Sequence, residues 1–336
     1  MIAIFWYFYS QLITKKFRNL SFLKFKDRLK VAYLQVFLKK TLNDVKPDLV
    51  HVHHFQDQFI FAFKIVQNNV PLVVTDHAFW HELGRTKYYE YSLKKKRCAA
   101  NLVDYIIYVS KFSKKQMERF NIGLKQKKVL IYHPVSVEKI PFINKETARN
   151  ELELPINKKL IFFNGISESV SRKGLDILLK SISKSLWLKK NCKIVIIANT
   201  EGIKFSQGFL DKIDIMPIAT QPWEKIVKIY NAADLFVMPS RSESFGIVYI
   251  ESLLVGVPVI GFYPIIKELE NMLGTYIGEK FNADKENEED LAEKIIKVLN
   301  MKIDRKLLRK KVIENLSWDV KFREFELIYR ELLRKS

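Results

Sequence analysis

The chain has 336 residues, 48% of them hydrophobic. At roughly 100 to 200 residues per domain this favours two domains over one. Two cysteines, Cys98 and Cys192, are too few and too far apart for a disulfide framework or a zinc knuckle, so a reducing, cytoplasmic compartment is expected. The formal net charge of +20 points either to an anionic partner (nucleic acid, anionic lipid or a phosphate-bearing substrate) or to a solvated lysine-rich surface.

The first residues, MIAIFWYFYSQLI, form an apolar run of about 13, short of the roughly 20 that a membrane-spanning helix needs. They also lack the basic segment and cleavage site of a signal peptide. They read either as an interfacial aromatic segment or as a buried first element. Residues 1–50 carry ten basic side chains against Asp27, Asp44 and Asp48. Within residues 22–42, Phe22, Phe25, Leu29, Tyr33 and Val36 share one helical face, while Lys24, Lys26, Arg28, Lys30, Lys39 and Lys40 take much of the rest. This predicts a helix packed on the first sheet with a wet, charged outer face, or one lying on an anionic membrane surface.

Short, nearly all-apolar runs then alternate with amphipathic stretches, which predicts parallel strands covered on both faces by helices. Strands are expected at 48–53, 71–75, 104–109 and 128–132, and again at 159–164, 193–198, 213–216, 234–238 and 257–261. Two doubly wound α/β units follow. Between them, around 135–157, no apolar run has strand length, and Asn144 precedes a short helical pattern that Pro155 ends. From about Asp284 the chain reads as helices, with Trp318, Phe322, Phe325 and Tyr329 at helical spacing as core packing.

The stretch PSRSESFGIVYIESLLVGVPVIGF, residues 239–262, reads as a loop after a strand, then a helix from Gly246 to Gly256. The free N–H groups around Phe245, Gly246, Ile247 and Val248 would point out of the carboxyl end of the sheet, where an anion such as a diphosphate binds. Glu243 and Glu251 repel such an anion but suit the hydroxyls of polyols on either side of it. Their bland reading is a loop glutamate and a helix-surface glutamate. His51, His53, His54, His77 and His81 are five of the six histidines, so a metal site is a rival reading for the first half. Against it, no H-x-H-x-D-H arrangement or E-x-x-H pair is present.

NAADLFVMPSRSESFGIVYIESLLVGVPVI resembles the signature region of glycosyltransferase family 4, retaining enzymes of GT-B fold that use nucleotide-sugars. SRKGLDILLKSI, KPDLVHVHH with VPLVVTDH, and YIIYVSKFSKKQMERF resemble further segments of that family, in order, over roughly residues 46–330. The resemblance implies an α/β, GT-B architecture of two Rossmann-like domains facing a cleft. Residues 1–143 would form an acceptor-side domain shortened at its start, 144–157 a connection, 158–320 the nucleotide-sugar domain and 321–336 a C-terminal helix.

By the same resemblance, Glu243 contacts the donor sugar hydroxyls, Glu251 the nucleotide ribose, and Phe245 to Val248 offer N–H groups to sugar and phosphate. Arg172 and Lys173 neutralise the diphosphate, and His77 stands beside the donor sugar on the opposite wall. The implied reaction is retaining glycosyl transfer to a glycan or lipid-linked acceptor in cell-surface polysaccharide or glycolipid synthesis. The chain has no D-x-D pair, so neither a metal nor a cofactor is expected beyond the donor substrate. An anionic membrane surface is a further expected partner, with the protein peripheral at the inner face; nucleic acid is not expected, since no binding motif accompanies the charge.

Three departures stand out. Residues 1–46 contain no glycine; Gly165 is followed by Ile166, Ser167 and Glu168 instead of a basic residue; and GFYPIIKELE, with Glu268, replaces the usual glycine pair. They make a catalytically degenerate homologue, acting as a binding partner or scaffold, the alternative reading.

Overall fold

The computed structural model describes residues 23–67, 69–77, 87–165, 170–198, 213–218 and 221–334. The chain divides into two compact units: Met1–Tyr132 with Phe322–Ser336, and His133–Lys321. The opening apolar run, His81 and Ile166 to Glu168 lie outside the described residues.

The first unit runs α1 (Phe25–Val45), β1 (Val50–His53), α2 (Asp57–Val66), β2 (Leu72–Asp76), α3 (Lys87–Ala100), β3 (Tyr105–Tyr108), α4 (Lys111–Arg119) and β4 (Lys127–Leu130). The strands pair in parallel in the order β1-β2-β3-β4. All five residues of β2 are buried, as a strand covered on both faces requires. Ile60, Phe61 and Phe63 of α2 pack with Leu72, Val74, Ile106 and Tyr108 of the sheet. Ser110 and Ser113 close a reciprocal capping box that starts α4.

The face by which α1 packs is the reverse of the one expected. Val31, Ala32, Gln35, Leu38 and Leu42 are buried, whereas Phe25, Leu29, Tyr33 and Val36 are exposed. Asp27 explains the rotation. Its carboxylate accepts hydrogen bonds from Tyr91 (2.5 Å) and Gln58 (3.1 Å) and pairs with Lys95 (3.5 Å), anchoring it inward. Burial alone would raise its pKa, but these partners hold it below the ordinary value.

The second unit runs α5 (Lys145–Glu151), β5 (Lys159–Gly165), α6 (Val170–Lys173), α7 (Leu175–Lys184), α8 (Leu186–Asn191), β6 (Cys192–Ala198), β7 (Ile215–Ile218), α9 (Trp223–Ala232), β8 (Leu235–Met238), α10 (Ile247–Leu254), β9 (Val259–Phe262), α11 (Tyr263–Leu273), β10 (Gly278–Phe281), α12 (Glu288–Asn300) and α13 (Arg305–Leu316). Its parallel sheet has the order β10-β9-β8-β5-β6-β7. Renumbered from its own first strand this is the dinucleotide-fold order 3-2-1-4-5-6, with the switch point between β5 and β8. Strand β10, whose residues are GEKF, was not expected: at four residues with two charges it carries no apolar run.

The stretch 144–157, expected as a connection, packs inside the second unit. Arg149 of α5 donates to the carbonyls of Ala232, Pro155 and Lys158, each at 3.0 Å, and to Asp234 at 2.6 Å. The division therefore falls at Tyr132–His133.

The last helix, α14 (Trp318–Leu333), counts with the first unit from Phe322 onward. Phe325, Ile328 and Leu332 pack on Val73, Ile107 and Ile131. Of the expected aromatic stripe, Phe325 and Tyr329 join this cluster, while Trp318 and Phe322 are exposed. The buried set Lys321, Phe325, Ile328 and Leu332 follows a helical face that the aromatic spacing only partly shares.

Candidate functional site

In an open α/β sheet, ligands bind beyond the carboxyl ends of the strands at the switch point. In the second unit that place lies between the segment after β5 and the loop after β8. Gly174, with φ +78°, follows Lys173 and starts α7; a Cβ there would come within 2.2 Å of the Pro239 carbonyl oxygen. Only glycine lets these two segments approach so closely. The Arg241 N–H donates to the Arg172 carbonyl (2.9 Å), and Arg172 Nη1 donates to the Ser242 carbonyl (3.0 Å). Arg241 also grips Asp176 with both arms of its guanidinium, at 2.9 and 2.7 Å.

The two segments meet chemically at Lys173 and Glu243. Lys173 Nζ donates to Glu243 Oε1 at 2.6 Å, and Ser240 Oγ donates to the same oxygen at 3.1 Å. Both charged side chains are largely buried, and the ion pair offsets the desolvation of each. Among the described residues the buried Ser242 Oγ has no hydrogen-bond partner.

Gly246 caps α10 with φ +70° and has no side chain of its own to cap the first N–H groups of this helix. A Cβ on Gly246 would lie 2.4 Å from the Tyr249 ring. Tyr249 is itself fixed beneath the loop, donating to the Met238 carbonyl at 2.8 Å. Phe245 is buried and stacks on His133 at 6.5 Å, while Ile247 and Val248 are partly exposed.

Glu251, on α10, belongs to a different network. It accepts a 2.8 Å hydrogen bond from Tyr230, whose hydroxyl accepts one from Asn164 at 3.3 Å. Burial pushes the Glu251 carboxyl up to about 7, against a smaller opposing effect of Tyr230. Burial and the neighbouring Glu251 charge raise the Tyr230 hydroxyl well above its ordinary value.

Arg172, Lys173 and Glu243 are thus brought together, and Glu251 stands apart from them on a tyrosine. Sequence reasoning missed Ser240, Arg241, Asp176, Tyr230 and Asn164. Tyr230 directly precedes the resemblance to family 4 at NAADLFVM, but only the fold shows that its hydroxyl reaches α10.

His77 lies in the first unit, directly after β2. His53 Nδ1 and His77 Nε2 share a hydrogen bond of 2.9 Å, and His51, His53 and His77 stack in sequence at 4.6 and 5.2 Å. His51 is bonded to Tyr329 (2.6 Å) and Thr75 (2.7 Å). Burial first, then the neighbouring His53, lowers its pKa to about 4, so it is neutral at pH 7. Among the described residues no group of three or more His, Cys, Asp or Glu side chains is arranged to hold a metal ion.

Sequence models of two families match the chain: glycosyl transferases group 1 over residues 144–315, and glycosyltransferase family 4 over residues 9–139. The chain belongs to the group 1 glycosyl transferases. An uncharacterized glycosyltransferase of Methanocaldococcus jannaschii is 26% identical over 95% of this chain and 83% of its own length. A D-inositol 3-phosphate glycosyltransferase of Segniliparus rotundus is 32% identical over 35% of this chain, and a glycogen synthase of Moorella thermoacetica is 28% identical over 57%. The chain spans only 27% and 41% of the lengths of these last two relatives.

Among solved structures, a sucrose-phosphate synthase of Thermosynechococcus elongatus superposes with a TM-score of 0.73 at 16% identity, over 95% of this chain and 80% of its own. An Anabaena protein solved with UDP and glucose gives 0.65 at 15% identity, over 89% and 82%. At such identities the likeness establishes the fold, two Rossmann-like domains of the GT-B class.

Proposed function

We propose that this glycosyltransferase moves a sugar from a nucleotide-diphosphate-sugar to a glycan or lipid-linked acceptor with retention of anomeric configuration. The observation that carries the reading is the Lys173–Glu243 pair beside the α10 N-terminus at the β5–β8 switch point. An anion is favoured there by the helix N-terminus, by Lys173 and by Arg172, and the adjacent carboxylate suits sugar hydroxyls. An ammonium has three N–H donors, so holding Glu243 does not stop Lys173 from meeting a phosphate. The Anabaena protein, solved with UDP and with UDP-glucose, supports a nucleotide-sugar donor.

As the nucleotide diphosphate departs, negative charge grows on its phosphate oxygens. Arg172, Lys173 and the N–H groups of Gly246 to Val248 stabilise that charge. Glu243 holds the sugar hydroxyls, Glu251 the ribose, and Phe245 backs the loop. His77, in the first unit, is the further residue proposed to act in catalysis. These cations and N–H donors do the work that a metal would otherwise do, and no cofactor takes part. The acceptor belongs to cell-surface polysaccharide or glycolipid synthesis, and the protein works in the cytoplasm against an anionic membrane face.

Transfer assays on Glu243→Gln and Lys173→Ala test the assignment. Each should lower kcat at least about a hundredfold, the scale of losing one preorganised charge-stabilising group. Unchanged transfer in both would overturn it; donor binding without transfer by the unmodified chain would favour a degenerate homologue.

A further inference from the structure

We infer that the outward face of α1 is a docking surface for an anionic lipid bilayer. The inference deepens the membrane reading above and is independent of the donor chemistry.

Helix α1 has 21 residues, about 31 Å at 1.5 Å per residue. Its buried set, Val31, Ala32, Gln35, Leu38 and Leu42, faces the first unit's core. Phe25, Leu29, Tyr33, Val36 and Phe37 lie on the other side within roughly 120° of arc, at 100° per residue. All are exposed, Phe25, Tyr33 and Phe37 by 63, 70 and 61%. Scattered exposed apolar residues are ordinary, but five contiguous ones on one helix mark an interaction face.

The charges on this face select the partner. Lys26, Lys30 and Lys40 fall on or beside the same arc, with Lys39 flanking it, and all four are exposed. Of the two acidic residues of α1, Asp27 is turned inward to Tyr91, Gln58 and Lys95, which leaves Asp44 as the outward carboxylate. Next to Leu29 and Tyr33 the surface continues into a groove of about 670 Å³ lined by Leu34, Phe55 and Phe59, by Lys30, and by Asp57, whose carboxylate is paired with Lys95 at 3.3 Å.

Aromatic rings set among lysines match the boundary between headgroups and acyl chains, where rings enter the interface and ammonium groups meet anionic headgroups. A symmetric dimer through the same face would set Lys26, Lys30 and Lys40 against their own copies. Among the described residues no helix is long and apolar enough to cross a membrane.

The test is sedimentation of the full chain with vesicles of phosphatidylcholine alone and of equal parts phosphatidylcholine and phosphatidylglycerol, at low and high salt. Binding should be at least tenfold tighter to the anionic vesicles and weaken with salt. Tyr33→Ser with Phe37→Ser should weaken it at least tenfold. Lys26→Glu with Lys30→Glu should do the same, since each lysine near an anionic surface is worth roughly fivefold. A Tyr33→Trp reporter should shift its emission to the blue on anionic vesicles.

The same variants should keep the unmodified chain's melting temperature and its stabilisation by nucleotide-sugar, so failure here and failure of the donor site are separable. Equal binding to both vesicles, no binding, or unchanged binding in both double variants would overturn the inference. So would a dimer that both double variants dissolve, which would assign the face to a second copy of the chain.

Discussion

Lys173 and Glu243, 70 positions apart in sequence, meet at 2.6 Å in a largely buried pair that joins the segment after β5 to the loop after β8. Truncating one member of a buried pair strands the other charge, at a cost of roughly 3 to 5 kcal/mol. Lys173→Met should therefore lose about 3 kcal/mol in denaturant unfolding, and the double variant with Glu243→Gln should recover at least half of it. Nucleotide-sugar binding should be lost in the single and double variants alike, because the pair's function does not return with its stability.

Gly174 and Gly246 are the backbone counterparts of that pair. Gly174→Ala would strain a left-handed residue and press a methyl onto a backbone oxygen that cannot swing aside. It should cost about 2 to 3 kcal/mol of stability and abolish donor-induced stabilisation. At Gly246 the obstruction is the Tyr249 ring, so Gly246→Ala with Tyr249→Leu should fold better than Gly246→Ala alone. An equal loss in both would place the cost in φ alone.

Glu251 gives the second unit a pH dependence. Its folded pKa of about 7 lies above the ordinary 4.5, so between those values the folded state binds more protons than the unfolded. Stability therefore falls as pH rises from 4.5 to 7, by up to about 3 kcal/mol at 1.36 kcal/mol per unit. Denaturant unfolding of Glu251→Gln across this window should lack that slope, and the variant should be the more stable protein at pH 8. An ionised carboxylate accepts stronger hydrogen bonds from ribose hydroxyls than a neutral carboxyl does, so nucleotide-sugar affinity should rise by up to about tenfold from pH 6 to pH 8 in the unmodified chain. The Gln variant should show no such rise.

His51 acts with the opposite sign in the first unit. Its folded pKa of about 4 lies below the ordinary 6.5, so the unfolded state binds the extra proton in that window. Stability falls as pH drops from 6.5 to 4, by up to about 3 kcal/mol. His51→Gln can keep partners at Thr75 and Tyr329 and should flatten this limb in unfolding at pH 4.5 and pH 7. A limb unchanged in the variant would move its origin to other groups.

Much of this architecture was legible in the sequence. Apolar runs such as KLIFFN and DLFVM marked strands buried on both faces, and Gly246 and Gly256 bounded α10. Strand β10 was not legible, because two of its four residues are charged. Nor was the rotation of α1. Periodicity shows that Phe25, Leu29, Tyr33 and Val36 share a face, but which face turns inward depends on Asp27 meeting Tyr91, 64 positions away. The same holds at the site: residue types and order pointed to Arg172, Lys173, Glu243 and Glu251, whereas the pairing of Lys173 with Glu243 and of Glu251 with Tyr230 exists only in the folded chain.

The proposed function requires that the second unit bind a nucleotide-sugar through this constellation. A thermal-shift panel with UDP, GDP, ADP and their common sugars, run on the unmodified chain and on Glu251→Ala, tests it most directly. One nucleotide and its sugars should raise the melting temperature of the unmodified chain, and this rise should be absent in the variant. A chain that none of these ligands stabilises, or a variant stabilised as strongly as the unmodified protein, would contradict it.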